Sequence, residues 1–342
     1  MCKVAITGIN AVDNPGPGLG IAKSVKEAEP EAFIVGLAYD AMEPGVYLKK
    51  YFDRSFIMPY PSEGENRFIE RLSYIKSCSD IEIVIPALDA ELPLFIKTRE
   101  KIETMGIKTF LPEENQFKLR GKDKLPEIEE KIGINIPKTF IVTSYEDLIK
   151  ATEEIGFPVM IKGIFYKAYR AFNITQATNY FNNIVSEWGY PIIVQEVING
   201  EEVNVVGVGD GEGGHFGLVA IKKMWTTNLG KIWTGVTIVN ENLLEAASRF
   251  VKEFKWRGAF EFECLLTQNN IYLIEINPRF PAWVYFSAAV GVNLPHRLLL
   301  AAAGKEPPRD SSYEAGKLYI RYTDDFIINI DEFQNMVIKG EN

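Results

Sequence analysis

Histidine is almost absent from this chain: among 342 residues there are two, His215 and His296. That leaves little material for a histidine-rich metal centre or for hydrolysis by a serine–histidine pair. Cysteine is scarce too. Cys2, Cys78 and Cys264 are far apart and form no CxxC pair, which argues against a disulfide framework or a structural zinc site. No apolar run reaches the roughly 20 residues that a membrane span needs. The beginning, MCKVAITGIN, lacks a charged leader followed by a long apolar stretch. Positive charge is in deficit, with 37 Lys and Arg against 46 Asp and Glu and a net charge of −9. An acidic chain is a poor general binder of nucleic acid or of an anionic membrane. A cytoplasmic, soluble protein is expected, with room for a local basic pocket that takes a phosphate ligand.

What is present is the material of a globular protein: 46% hydrophobic and 24% charged residues, enough for two or three packed units of roughly 150 residues. In the first part, Val4 to Thr7, Phe33 to Ala38 and Ile81 to Pro86 read as strands. Ile21 to Ala28 and Arg67 to Lys76 read as helices. This alternation predicts a parallel α/β sheet ending at about Pro112. The second region, from Glu113, has helical spacing around Lys122 to Lys131, Tyr145 to Ile155 and Leu243 to Phe254. Strands are expected at 158–163, 191–198, 258–266 and 271–277, and after Pro308 from Lys317 to Tyr322. The loop Asn10 to Gly20 completes neither GxGxxG, because Lys23 stands where its last glycine belongs, nor a Walker A motif, because Pro17 and Ala22 stand where a loop ending at Lys23 needs glycine. Its glycines read as shaping a strand-to-helix turn.

The most informative stretch is GAFEFECLLTQNNIYLIEINPRF, 258–280. Gln268-Asn269-Asn270 is a turn signal between two apolar strands. Centring the hairpin on Asn269 sets Glu263 opposite Glu275 and Glu261 opposite Asn277. Strand alternation then gives Glu261, Glu263, Glu275, Asn277 and Arg279 one face, and Phe260, Phe262, Ile274 and Ile276 the other. Three carboxylates on one face call for a compensating cation. Oxygen donors at this spacing suit magnesium, and Arg279 can neutralise charge on a transferring phosphoryl group. The same pattern also describes a solvated face of an antiparallel sheet. Lys122, Lys162, Lys222 and Lys223 form a set of candidate phosphate ligands, although any one of them alone reads as a surface residue. In ValGlnGluValIleAsnGlyGluGlu, 194–202, an apolar strand runs into a turn at Asn199-Gly200. It reads as a strand end offering backbone to a purine and a carboxylate to ribose, or equally as a hairpin with charged flanks.

In order along the chain, these residues resemble the ATP-grasp superfamily, which includes biotin carboxylase, carbamoyl phosphate synthetase and D-alanine–D-alanine ligase. The likeness spans nearly the whole chain. IleGluIleValIleProAlaLeuAspAlaGlu (81–91) looks like the close of the domain preceding the ATP-grasp fold. The resemblance implies an N-terminal Rossmann-like domain over 1–112. It implies an α+β ATP-grasp domain over 113–305, with a small lid at about 135–198 and a C-terminal extension over 306–342. It implies ATP phosphates held by Lys122 and Lys162, with Lys222 in the same basic set. Gln195, Glu196 and Ile198 would lie near adenine and Glu202 near ribose. Glu263, Glu275 and Asn277 would hold Mg2+, or Mn2+ in its place, and Arg279 would stand beside the transferring phosphate.

The implied activity is ATP-dependent carboxylate–amine ligation through an acyl phosphate, on a small molecule or peptide, by a protein that forms homodimers as many relatives do. The alternatives are a phosphotransferase like carbamoyl phosphate synthetase and a nucleotide-binding regulator. The departure from the pattern is GlyIlePheTyrLysAlaTyrArgAlaPhe, 163–172, where relatives carry a glycine-rich loop over the phosphates. Lys167 or Arg170 is a candidate phosphate contact there. ProAlaTrpValTyr, 281–285, would face the acceptor site, its aromatics either shaping a pocket or packing.

Overall fold

The computed structural model describes residues 2–12, 15–165, 167–227 and 230–342. Asp13 and Asn14 of the loop Asn10 to Gly20, and Tyr166 of the segment 163–172, lie outside the described residues.

The first strands, β1 (Lys3–Ile6), β2 (Phe33–Ala38), β3 (Arg54–Ile57) and β4 (Ile83–Ile85), form a wholly parallel sheet in the order β3-β2-β1-β4. Both of its faces are covered, which is why the strands read as continuous apolar runs. The turn out of β1 shows what the glycines do. A Cβ on Gly18 would lie 2.2 Å from the Thr7 carbonyl oxygen, so only glycine lets the start of the helix Gly18–Ala28 pass that close to the strand end.

A small antiparallel sheet follows, from β5 (Thr139–Val142), β6 (Val159–Gly163), β7 (Ala168–Ala171) and β8 (Ile192–Glu196), in the order β5-β8-β6-β7. Its helices obey simple end rules. Ser144 caps Tyr145–Ile155 by accepting from the Asp147 amide at 3.1 Å. Gly156, at φ +81°, follows the last turn. The sheet and its helices enclose their own core, with Leu148, Ile161, Phe181 and Val194 at its centre.

The largest sheet is antiparallel and six-stranded. It consists of β9 (Glu201–Asp210), β10 (His215–Thr226), β11 (Ile232–Thr237), β12 (Arg257–Leu266), β13 (Ile271–Asn277) and β14 (Leu318–Ile320), in the order β13-β12-β9-β10-β11-β14. One face packs on the helices Leu125–Ile132 and Glu241–Phe254. Phe250 lies 5.1–5.8 Å, centroid to centroid, from Trp256, Phe260 and Phe262, and such aromatic pairs each contribute about 0.5–1.5 kcal/mol beyond area burial. The other face shares a core with the first sheet: Val206, Val208 and Ile221 join Val4, Ile6 and Ile34. The tail returns to β3, where the Ile57 amide donates to the Gly340 carbonyl at 2.8 Å. Among the described residues no helix is long and apolar enough to cross a membrane.

Two expected boundaries move. The helix expected around Lys122 to Lys131 is a 3₁₀ turn, Lys122–Lys124, followed by the α-helix Leu125–Ile132. Pro126 is welcome in a first helical turn, which favours a start there. Asn199-Gly200 is not a hairpin turn. It crosses from β8 in the small sheet to β9 in the large one.

Candidate functional site

The hairpin of β12 and β13 has the expected register where it matters: Glu261 is opposite Asn277 and Glu263 opposite Glu275. Beyond Glu263 the pairing shifts, with Cys264 opposite Leu273. The shift exchanges the roles of two residues. Leu273, not Ile274, reaches the core beside Phe262 and Ile276, because the irregularity adds one residue to β13 and reverses its alternation.

The carboxylate face is not a solvated sheet surface. Glu261 is 5% exposed and Asn277 8%. The compensating charge comes from side chains. Lys223 Nζ donates to Glu263 Oε2 at 2.8 Å and lies 3.2 Å from Glu202 Oε2. Lys122 Nζ donates to Glu275 Oε1 at 2.9 Å. Arg279 Nη1 donates to Glu261 Oε2 at 3.4 Å. Burial pushes the Glu263 carboxyl up, but Lys223 outweighs it and the pKa lies below the ordinary value. Burial, with Glu263 beside it, raises Glu261. Strand alternation puts Lys222 on the opposite face of β10 from Lys223, and Lys222 pairs with Glu201. Lys223 therefore occupies the place the sequence reading gave to Lys222.

The small sheet brings in the remaining candidates. Lys162, on β6, is buried and donates to Gln195 Oε1 at 2.6 Å, while Gln195 Nε2 donates to Thr139 Oγ1 at 2.9 Å. Burial, reinforced by the charge of Lys122 and opposed by Glu275 and Glu263, lowers the Lys162 pKa to about 8. Glu196 is exposed and accepts from the Lys138 amide at 3.2 Å. Ile198 is half-buried in the crossing to β9. The glycine-poor segment is tied to the site: the Phe165 carbonyl accepts from Lys122 at 3.2 Å, and the Arg120 guanidinium lies 4.4 Å from the Phe165 ring centroid. Lys167 pairs instead with Glu187 at 3.5 Å, and Arg170 lies over the Phe172 ring.

Several residues of the site carry no signal in the sequence. Arg279 Nε donates to Asp89 Oδ2 at 3.0 Å, across from the segment that follows β4. Burial would raise Asp89, but Arg279 and Arg120 hold it below the ordinary value. The segment is pinned by Glu91, 1% exposed, which accepts from the Ala87 and Leu88 amides at 2.8 and 2.9 Å and from the hydroxyls of Thr7 and Tyr39. Lys231, on the approach to β11, is pushed down to about 8 by burial and then by Arg279 and Arg321. Arg321 follows β14, and its buried Nε has no hydrogen-bond partner among the described residues. Arg279 and Arg321 are thus near enough to Lys231 for their charges to act on it. The pairing of β11 with β14 sets the segments that carry Lys231 and Arg321 side by side. Trp283 packs rather than lining an open pocket: it is 2% exposed, and its Nε1 donates to Glu261 Oε1 at 2.9 Å.

The donor set of Glu263, Glu275 and Asn277 is hard and all-oxygen, which fits Mg2+ or Mn2+. Among the described residues no three His, Cys, Asp or Glu side chains form a cage. An ion held here would complete its shell with water or phosphate oxygens.

A family model described as "ATP-grasp in the biosynthetic pathway with Ter operon" matches residues 190–325. The carbamoyl phosphate synthase large chain of Clostridium botulinum is 25% identical over 218 residues, covering 57% of this chain and 19% of the relative. The chain therefore spans about a fifth of that relative's length. Among solved structures, biotin carboxylase from Campylobacter jejuni, in a nucleotide complex, superposes with a TM-score of 0.72 at 18% identity, covering 93% of this chain and 74% of that one. L-amino acid ligase from Bacillus licheniformis superposes with a TM-score of 0.67 at 15% identity, covering 88% and 74%. Residues 190–325 thus match an ATP-grasp family model, and the chain shares the fold of biotin carboxylase and L-amino acid ligase.

Proposed function

We propose that this chain is an ATP- and magnesium-dependent ligase that activates a carboxylate as an acyl phosphate and joins it to an amine. One observation carries the reading: two charge systems meet at Arg279. On one side is the face of Glu263, Glu275 and Asn277, edged by Lys122, Lys162 and Lys223. On the other is the cationic group of Lys231, Arg279 and Arg321. A magnesium ion on the carboxylate face would neutralise charge on the ATP phosphates.

In this reading Lys122 and Lys162 hold the nucleotide phosphates, and Gln195 to Ile198 and Glu202 border the nucleoside. Lys231 and Arg321 hold the substrate carboxylate, one of whose oxygens attacks the γ-phosphorus as ADP departs. The amine then attacks the acyl carbon, phosphate leaves with the former carboxylate oxygen, and the amine loses its proton to solvent. Arg279, held by Asp89 and Glu261 and coupled by charge to Glu263 and Lys231, faces the charge that develops in each step. The chemistry asks for no histidine or thiol nucleophile, in keeping with the composition. The ligase and carboxylase neighbours support the class of reaction, and the substrates are proposed as a small-molecule or peptide acid and an amine.

The test is ADP release with Mg·ATP against a panel of small acids and amines. ADP formed only when an acid and an amine are both present supports the ligase. ADP formed with an acid alone supports the phosphotransferase. Mg·ATP binding without turnover across the panel supports a regulator. Sedimentation at several concentrations tests the expected homodimer.

A further inference from the structure

Glu261 is the most buried acid of the carboxylate face, and the ligand set proposed for magnesium does not use it. Its two oxygens are fully engaged. Oε1 accepts from Asn204 Nδ2 at 2.7 Å and from Trp283 Nε1 at 2.9 Å. Oε2 accepts from Asn277 Nδ2 at 3.2 Å and from Arg279 Nη1 at 3.4 Å. A carboxylate has about four lone-pair positions, and here four donors converge on them from β9, from β13 and from the segment that follows it. No position is left over for a metal ion. A neutral glutamine would set an NH2 group against at least two of these donors.

The partners are the informative part. Asn277 Nδ2 donates to Glu261 and also to Glu263 Oε1, at 2.8 Å. With the amide nitrogen committed to two carboxylates, Oδ1 is the end of the side chain left for a cation. Arg279 is gripped twice, by Glu261 through Nη1 and by Asp89 through Nε at 3.0 Å, so its guanidinium plane is fixed between the large sheet and the segment after β4. Trp283, buried over Glu261, seals the carboxylate from water on that side.

Building on the proposed function, we propose that Glu261 is a positioning residue: from the sealed side of the carboxylate face it sets which end of Asn277 meets the metal and how Arg279 is aimed. Ligand-orienting partners of this kind commonly govern metal affinity or activity by about 10–100-fold. Glu261 acts through the metal-dependent part of nucleotide binding and leaves the metal-free part alone.

The experiment is calorimetric titration of the full-length protein with ADP, with and without Mg2+, for wild type, Glu261→Gln, Asn277→Ala and the double variant. Glu261→Gln is expected to weaken Mg·ADP binding by about 10–100-fold with metal-free ADP affinity unchanged, and to add nothing further in the Asn277→Ala background. A general structural defect would weaken both titrations and would persist in the double variant, which overturns the assignment. A wild-type gain from magnesium that Glu261→Gln retains in full also overturns it. Wild-type protein that gains nothing from magnesium removes the functional reading itself. If Glu261→Gln does not fold, Glu261→Asp, which keeps the charge but withdraws it by one methylene, is read in the same way.

Discussion

Lys223 is the cation on which the resting charge balance of the carboxylate face depends most. Lys223→Met keeps an unbranched apolar stem and removes the ammonium. Glu202, about half exposed, loses little because water screens it. Glu263 is different: its side chain is 17% exposed, Lys223 lies 2.8 Å away, and Glu261 stands two residues along the same face. Removing one member of a buried pair costs about 3–5 kcal/mol. Protonation caps that cost. A carboxyl of ordinary pKa 4.5 is neutralised at pH 7 for about 3.4 kcal/mol, at about 1.36 kcal/mol per pH unit.

The expected loss for Lys223→Met is therefore about 3 kcal/mol at pH 7, shrinking by up to about 1.4 kcal/mol for each unit the pH is lowered. The sign follows from the direction of the shift. In the wild type the Glu263 pKa is depressed, so the stability it contributes is present above the ordinary carboxylate pKa and is lost as the pH falls through the depressed value. Without Lys223 that contribution is gone, and the two stability curves converge at acid pH. Urea unfolding of both proteins from pH 5 to pH 8 measures this. Magnesium should stabilise the variant more than the wild type, since the ion replaces the missing positive charge. A stability difference independent of pH, or a variant as stable as wild type at pH 8, would refute the reasoning.

Glu275→Gln should remove the magnesium-dependent gain in ATP affinity while costing about 1 kcal/mol or less in stability, since this side chain is 31% exposed and makes one ion pair; calorimetry and urea unfolding together check it, and a retained magnesium gain rejects the metal assignment. ATP affinity should fall by about tenfold per pH unit above pH 8, because Lys162, lowered to about 8 by burial, gives up its charge as the pH rises. Lys162→Arg, which stays charged, should flatten that profile, and a wild-type profile already flat to pH 9.5 would count against a phosphate-binding Lys162. Gly18→Ala should cost about 1–3 kcal/mol or more, because its methyl group would lie 2.2 Å from the Thr7 carbonyl oxygen; wild-type stability in urea would mean that the turn after β1 yields easily.

The carboxylate hairpin is legible in the sequence because two independent signals agree, a polar turn at 268–270 and strict alternation on both sides of it. The agreement lasts as far as the alternation does: the register shift beyond Glu263 has no signature in FEFECLL or IYLIEIN, and with it the sequence assigns Ile274 to a core that takes Leu273. Lys222 and Lys223 show a related limit. Choosing between neighbours on a strand requires its parity, and β9 and β10, covered on both faces, show apolar runs rather than alternation. Asp89, Lys231 and Arg321 lie deeper still. Asp89 bonds to Arg279 from the segment after β4, while Lys231, on the approach to β11, feels the charge of Arg279 and of Arg321 just beyond β14, and no local pattern encodes a proximity that separate sheet connections create.

The resting pairs and the proposed catalytic pairs are two states of one charge ledger. A chain of net charge −9 gathers Lys122, Lys162, Lys223, Lys231, Arg279 and Arg321 about one site, and four buried or half-buried acids hold three of them in place: Glu275 holds Lys122, Glu263 holds Lys223, and Asp89 and Glu261 hold Arg279. Each uncompensated member would cost several kcal/mol, so neither set is tenable alone in the folded protein. An incoming magnesium–nucleotide complex brings both signs at once. Its cation can take Glu263 and Glu275 as its phosphates take Lys122 and Lys223, so the exchange of partners leaves no buried charge unpaired at its end. Asp89 and Glu261 stay out of this exchange, because their partner Arg279 must keep its aim throughout. The contrast gives the two kinds of acid on this face separate duties: Glu263 and Glu275 change partners, while Glu261 and Asp89 do not. Nucleotide without magnesium supplies only half of the exchange and strands Glu263 and Glu275 without a cation. It should therefore bind more weakly than the magnesium complex by a margin that narrows as these carboxylates are removed one at a time.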